Sequence, residues 1–177
     1  KSLSGLDAHS LRRNLGVVLQ DGKLIAGSIY DNITITCPNP TMKAVNEVIE
    51  AVGLKADIDQ MPMGVQTVLS ESGNTISGGQ QLRILIARAI MNKPQVLFFD
   101  EATSALDNLT QAKVCQSLDD MHVTRVVIAH RLSTIQNCDR ILVVNNGQIQ
   151  EEGNFESLMA QKGLFYNMAK RQIAEEN

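Results

Sequence analysis

Asp100 and Glu101 stand side by side after the apolar run VLFF (residues 96–99). Two carboxylates at the end of a buried strand could hold the shell of a magnesium ion and polarise a water. They could instead cap and charge the first turn of a following helix, which accounts for either acid singly better than for both. His130 closes a second apolar run, RVVIAH (residues 125–130), as either a satisfied structural imidazole or a proton-handling group. Gln20 closes LGVVLQ (residues 15–20), where its amide either faces solvent or bridges a metal and a water. In ISGGQQLRILIARAI (residues 76–90), Ser77, Gly78 and Gly79 open an apolar-striped helix. Ser77 can cap that helix, and the bare N–H groups at its positive end can seat an anion such as phosphate.

These groups need elements to position them. Four β-branched runs, residues 15–20, 96–101, 125–130 and 141–146, read as buried strands, and helical patterns cover residues 41–52, 79–91, 109–121 and the stretch from 155 onward. That alternation predicts an α/β fold, a parallel sheet with flanking helices. Residues 37–94 hold two helical patterns with no convincing strand between them, so they read as a helical insertion, with residues 1–36 and 95–177 forming the α/β core. The helix from residue 79 places Leu82, Leu85, Ile86, Ala89 and Ile90 on its apolar side and leaves Arg83 and Arg88 elsewhere. Ligands of open parallel sheets bind outside the C-terminal strand ends, so Gln20, Asp100, Glu101 and His130 are expected to meet on one edge.

Composition narrows the partners. The 177 residues suit one domain with a real core. Sixteen Lys and Arg against 19 Asp and Glu, scattered singly, give no basic stripe, which argues against nucleic acid as a partner. Three cysteines, Cys37, Cys115 and Cys138, at long spacings support neither a disulfide framework nor a thiolate metal site, and fit a reducing compartment. No apolar run approaches the roughly 18 residues of a membrane span, and KSLSGLDAHS lacks the apolar stretch of a secretion signal. With no tryptophan and few aromatics, aliphatic packing must carry the core.

Taken in order and separation, VVLQD, ISGGQ, VLFFDEATSALD and VVIAHR resemble the ATP-binding cassette ATPase family over essentially the whole chain. The resemblance implies a P-loop NTPase-like sheet with a helical signature subdomain. It makes Gln20 the Q-loop glutamine, Ser77, Gly78, Gly79 and Gln80 the signature motif, Asp100 the magnesium-associated Walker B acid and Glu101 the catalytic base. Ser104 to Asp107 (SALD) would form the D-loop, with Asp107 at the nucleotide, and His130 would be the switch histidine. It further implies ATP and Mg2+, and two protein partners: a second ATPase domain, whose ATP the signature closes over, and a transmembrane domain. The expected location is the cytoplasmic face of the bacterial inner membrane. LIAGSIYDNI resembles the exporter segment that faces the membrane domain, while GVVLQDGKLIAGSIYDNI, FFDEATSALDN and LFYNMAKRQ look most like bacterial peptide or bacteriocin exporter ATPases.

The chain departs from the family in two places. Ile76 stands where the signature usually opens with leucine, and no G-x-x-x-x-G-K-[ST] occurs among the 177 residues. In the family that phosphate loop precedes the Q-loop, so the chain is expected to begin after it and to lack the adenine-stacking aromatic. A helix terminus contributes about 0.3–2 kcal/mol toward an anion, against roughly 8 kcal/mol for micromolar binding; these residues alone are therefore expected to be inactive. The absent strand would lie between the strand of His130 and ILVVNN, so exposed strand edges or an altered contact are expected there. A non-transport ATPase acting on DNA or ribosomes would require a coiled-coil insertion or a basic face, and neither is visible. A non-catalytic module that only presents the signature face to a partner remains a third reading.

Overall fold

The structure, a computed structural model, describes residues 5, 7–69, 76–100, 108–129 and 132–175. The chain divides into two units, Lys1–Ile128 and Ala129–Asn177. In the first, α1 (Ala8–Arg13) is capped by the Asp7 carboxylate and leads into β1 (Leu15–Val18). There follow β2 (Gly27–Ser28) and α2 (Ile29–Thr34). The start of α2 is a reciprocal capping box: the Asp31 amide donates to Ser28 Oγ at 3.0 Å, and the Asp31 carboxylate accepts the Ser28 amide at 2.8 Å and its hydroxyl at 2.7 Å. The Ser28 hydroxyl, and then its amide, hold the Asp31 carboxyl below its ordinary pKa.

The unit continues through α3 (Met42–Ala51), α4 (Lys55–Asp59), β3 (Val68–Leu69), α5 (Gly78–Ile90), β4 (Val96–Asp100), α6 (Asn108–Asp120) and β5 (Thr124–Ile128). β4 is the middle strand of a parallel sheet ordered β1-β4-β5, with Val18 opposite Phe99 and Asp100 opposite Ile128. β2 and β3 form a separate antiparallel pair. Leu97 and Phe99 of β4 are buried together with Ile84, Ile86 and Ile90 of α5, and with Ile29, Ile33, Val45 and Ile49 from α2 and α3.

Three expectations need correction. The run at β5 is mostly exposed rather than buried: Val17, Phe98 and Val126 lie in register across the sheet, each open to solvent, and Ile128 is 56% exposed. Apolar character tells that a strand can be buried on both faces, and here one face is covered. Residues 37–94 do contain a strand, β3, but two residues are too few for alternation to register. Helix α5 has no narrow apolar stripe, because Ile84 and Ala87 are buried along with Leu82, Leu85, Ile86 and Ile90; it packs on α2, α3 and β1 at once. The run at 141–145 pairs elsewhere, in keeping with the open edge expected beside the strand of His130.

That run belongs to the second unit, which holds α7 (Leu132–Ile135), β6 (Ile141–Asn145), β7 (Gln148–Gly153), α8 (Phe155–Gln161) and α9 (Leu164–Glu175). β6 pairs antiparallel with β7 through a two-residue turn in which Asn146 and Gly147 both have positive φ, 51° and 73°. Such turns match the natural twist of a hairpin. Ile141 and Val143 pack with Leu158 and Phe165, and the rings of Phe155 and Phe165 meet edge to face at 5.6 Å.

β1 approaches α5 so closely that a Cβ on Gly16 would lie 2.6 Å from the backbone oxygen of Ala89 and would also collide with Leu97. A backbone atom cannot swing aside. Gly16→Ala is expected to lower stability by about 1–3 kcal/mol, read as a shift in the urea midpoint; an unchanged midpoint would show that strand and helix can separate freely.

Candidate functional site

The strand order decides which ends meet. Because β1, β4 and β5 run parallel as neighbours, all three leave the sheet at the same edge. Asp100 is the last residue of β4 and is half-buried. Gln20 lies two residues beyond β1, exposed, in a turn closed by the Gly22 amide donating to the Leu19 oxygen at 3.1 Å. The structure thus brings Gln20 and Asp100 to the exits of adjacent strands. Glu101, Asp107 and His130 lie outside the described residues.

Among the described residues no group of three or more His, Cys, Asp and Glu is placed to hold a metal. A magnesium ion does not need one, since it is bound by one or two carboxylates and takes its other oxygens from phosphate and water. One carboxylate and one amide at a shared edge fit that requirement.

Ser77 takes the capping role, and its turn leaves other helix amides open. It is the N-cap of α5, and its Oγ accepts the Gln80 amide at 3.2 Å while Gln80 Oε1 accepts the Ser77 amide at 2.9 Å. This reciprocal pair satisfies the N-cap and third amides of the helix and leaves those of Gly78 and Gly79 in the first turn without a carbonyl behind them. A Cβ added to Gly78 would meet nothing within 4 Å, so the backbone there can be approached from outside. Those two N–H groups stand at the positive end of the helix, where an anion could be received.

Gln80 has less freedom than its place in the motif suggests. Its Nε2 donates to Asp57 Oδ1 at 2.8 Å, so both ends of its amide are engaged within the chain. Arg83 and Arg88 are likewise occupied rather than available. Arg83 Nη1 donates to Asp57 Oδ2 at 2.8 Å and to the Gly53 oxygen at 2.7 Å, and its Nε to the Gly79 oxygen at 3.2 Å. Asp57 on α4 therefore holds the Ser77–Gln80 turn through Gln80 and balances the charge of Arg83. Arg88 is anchored on Asn32 of α2, Nη2 to Oδ1 at 2.7 Å and Nε to the backbone oxygen at 2.8 Å. Burial lowers the Arg88 pKa from its ordinary value, which still leaves a guanidinium charged. Sequence reasoning passed over Asp57 and Asn32. Asp57 carries no local pattern, whereas Asn32 directly follows the Ser28–Asp31 box, whose S-x-x-D spacing was readable.

A family model described as ABC transporter matches residues 1–104. The chain is 43% identical over 96% of its length to a β-(1→2)-glucan export ATP-binding/permease protein of Rhodopseudomonas palustris, covering 28% of that protein. It is 42% identical over 96% of its length to a cyclolysin secretion/processing ATP-binding protein of Bordetella pertussis, covering 24% of it. Among solved structures, a bacterial Atm1-family ABC exporter with ATP bound superposes with a TM-score of 0.91 at 35% identity, covering 96% of this chain and 30% of that one. The chain thus spans under a third of the length of each of these three proteins.

Asp57→Ala removes an acceptor from Arg83, whose side chain is only 12% exposed, and from Gln80. The variant is expected to lose about 2 kcal/mol in urea unfolding, with Asp57→Asn losing less because it keeps an acceptor; equal stability of all three proteins would show that the bridge carries no weight.

Proposed function

The chain belongs to the ABC transporter family, and from that premise we propose that it is part of the ATPase domain of an exporter, coupling ATP binding and hydrolysis to movement of a cargo across a membrane. The observation that carries this reading is the joint placement of Gln20 and Asp100 at one sheet edge, with the Ser77–Gln80 turn joined to the stretch after Gln20 through Gln81, whose Nε2 donates to the Gly22 oxygen at 3.1 Å.

In this mechanism the protein acts by position and charge. Glu101, next after Asp100, takes a proton from the attacking water. His130 contacts the γ-phosphate, and Asp107 lies at the nucleotide across the dimer. Asp100 and Gln20 would hold the magnesium ion, which when bound neutralises phosphate charge. Ser77 and the amides of Gly78 and Gly79 close over ATP held by a second ATPase domain, and Gln80 braces that turn. Closure of the two domains moves a transmembrane domain, with the segment around residues 24–33 as the facing surface. No helix among the described residues is long and apolar enough to cross a membrane; we place the domain at the cytoplasmic face of the bacterial inner membrane, beside its transmembrane partner.

The proposed cargo is a peptide. The likeness of GVVLQDGKLIAGSIYDNI and LFYNMAKRQ to peptide exporters supports this, as does the toxin-secretion relative. Cargo contacts would lie in the membrane domain, in keeping with the near-equal likeness to glucan and toxin exporters.

In the full-length protein, Glu101→Gln is expected to reduce ATP turnover by about 100-fold or more while ATP remains bound in closed dimers; unaltered kcat would exclude Glu101 as the base. Residues 1–177 by themselves, lacking G-x-x-x-x-G-K-[ST], are expected to bind ATP more weakly than the micromolar range, and a micromolar Kd by calorimetry would refute that.

A further inference from the structure

Residues 22–25, which follow the Gln20 turn, belong to no helix or strand, yet their backbone is held by side chains in place of a ladder. The Gly22 oxygen accepts from Gln81 Nε2 at 3.1 Å and the Lys23 oxygen from Arg88 Nη1 at 3.2 Å. Asn32, fully buried, brackets Ile25: its Oδ1 accepts the Ile25 amide at 2.9 Å and its Nδ2 donates to the Ile25 oxygen at 3.0 Å. Asn32 is itself fixed by Arg88 and by its Nδ2 donating to the Ser28 oxygen at 3.0 Å. Gln81 and Arg88 stand about two turns apart on α5, so one helix grips the segment at two points. The segment is also pressed onto that helix, since a Cβ on Gly22 would sit 2.9 Å from Leu85 Cδ1 and 3.1 Å from the Leu19 oxygen.

We propose that Gln81, Arg88 and Asn32 are positioning residues that bind the Gln20 turn to the helix beginning at Ser77, so that Gln20 and the phosphate-facing turn move as one body. The assignment rests on the reading of Gln20 given above. Gln81 is the informative point of attack. It follows Gln80 directly, so its amide links Gly22, two residues after Gln20, to the same helical turn that bares Gly78 and Gly79. It is also only half-buried, whereas replacing Asn32 or Arg88 would strand several buried partners and endanger folding.

The test compares wild type, Gln81→Met, Gln81→Arg and Gln20→Ala in the full-length protein. Methionine keeps the length of the side chain and removes the donor; arginine restores a donor. Without nucleotide, amide exchange over residues 21–25 is expected to quicken about fivefold to tenfold in Gln81→Met, as for one lost neutral hydrogen bond, with residues 96–100 unaffected. The Mg2+ concentration giving half-maximal ATPase rate is expected to rise severalfold toward the Gln20→Ala value with a smaller change in kcat, and Gln81→Arg should reverse both effects. Unchanged exchange over residues 21–25 in Gln81→Met overturns the attachment. Faster exchange with an unmoved Mg2+ midpoint, where Gln20→Ala does move it, overturns the positioning role. A midpoint that Gln20→Ala also leaves in place overturns the reading of Gln20 on which the role depends.

Discussion

The pairing of β4 with parallel neighbours on both sides fixes everything that follows. In a parallel sheet each strand must hand its chain off at the same edge, so residues remote in sequence are delivered to one rim by backbone hydrogen bonding alone. Val18 opposite Phe99 and Asp100 opposite Ile128 set the depth at which each exit occurs. A one-residue slip would turn Asp100 to the other face of the sheet and exchange Leu97 and Phe99 for Phe98 in the core. Register therefore serves packing and chemistry through the same contacts: the residues that bury against α5 are those that hold the carboxylate in place.

Helix α5 connects this rim to the Ser77–Gln80 turn. It is packed against β1, α2 and α3, so its rotation and height are determined by the core and not by the turn at its start. The turn is then finished locally, by the Ser77–Gln80 box above and Asp57 below. That division of labour explains the unusual composition at the helix mouth. Glycines would weaken an isolated helix by about 1 kcal/mol each, a cost the buried remainder of α5 readily offsets, and what they provide is an approachable backbone.

Much of this could be read from the residues, and the omissions have a common cause. β1, β4, β5 and β6 are visible because a strand with a buried face needs β-branched residues in a short run. β7 is not, because QIQEEG is polar and mostly exposed along its length; only the Asn146-Gly147 pair before it marks the hairpin. At the site, Gln20, Asp100 and the Ser77 turn were recognisable as types at strand and helix ends. The residues that brace them, Asp57, Asn32 and Gln81, act on backbone carbonyls and distant side chains, and contacts of that kind follow no spacing rule.

Bracing also limits what the turn can do alone. With Arg83 bound to Asp57 and Arg88 to Asn32, neither guanidinium is free to meet an anion, and attraction falls to two amides and the helix dipole. A dipole of this kind contributes about 0.3–2 kcal/mol, enough to shift an equilibrium up to some thirtyfold but far short of the roughly 8 kcal/mol of micromolar binding. Such a surface discriminates poorly as a primary holder and well as a second clasp, because weak, oriented donors add to an anion already fixed by another surface without trapping it afterwards. In the proposed cycle, a turn that closes and reopens is better served by uncharged amides than by a free arginine, and the pairing of Arg83 with Asp57 and the anchoring of Arg88 on Asn32 leave it in that condition.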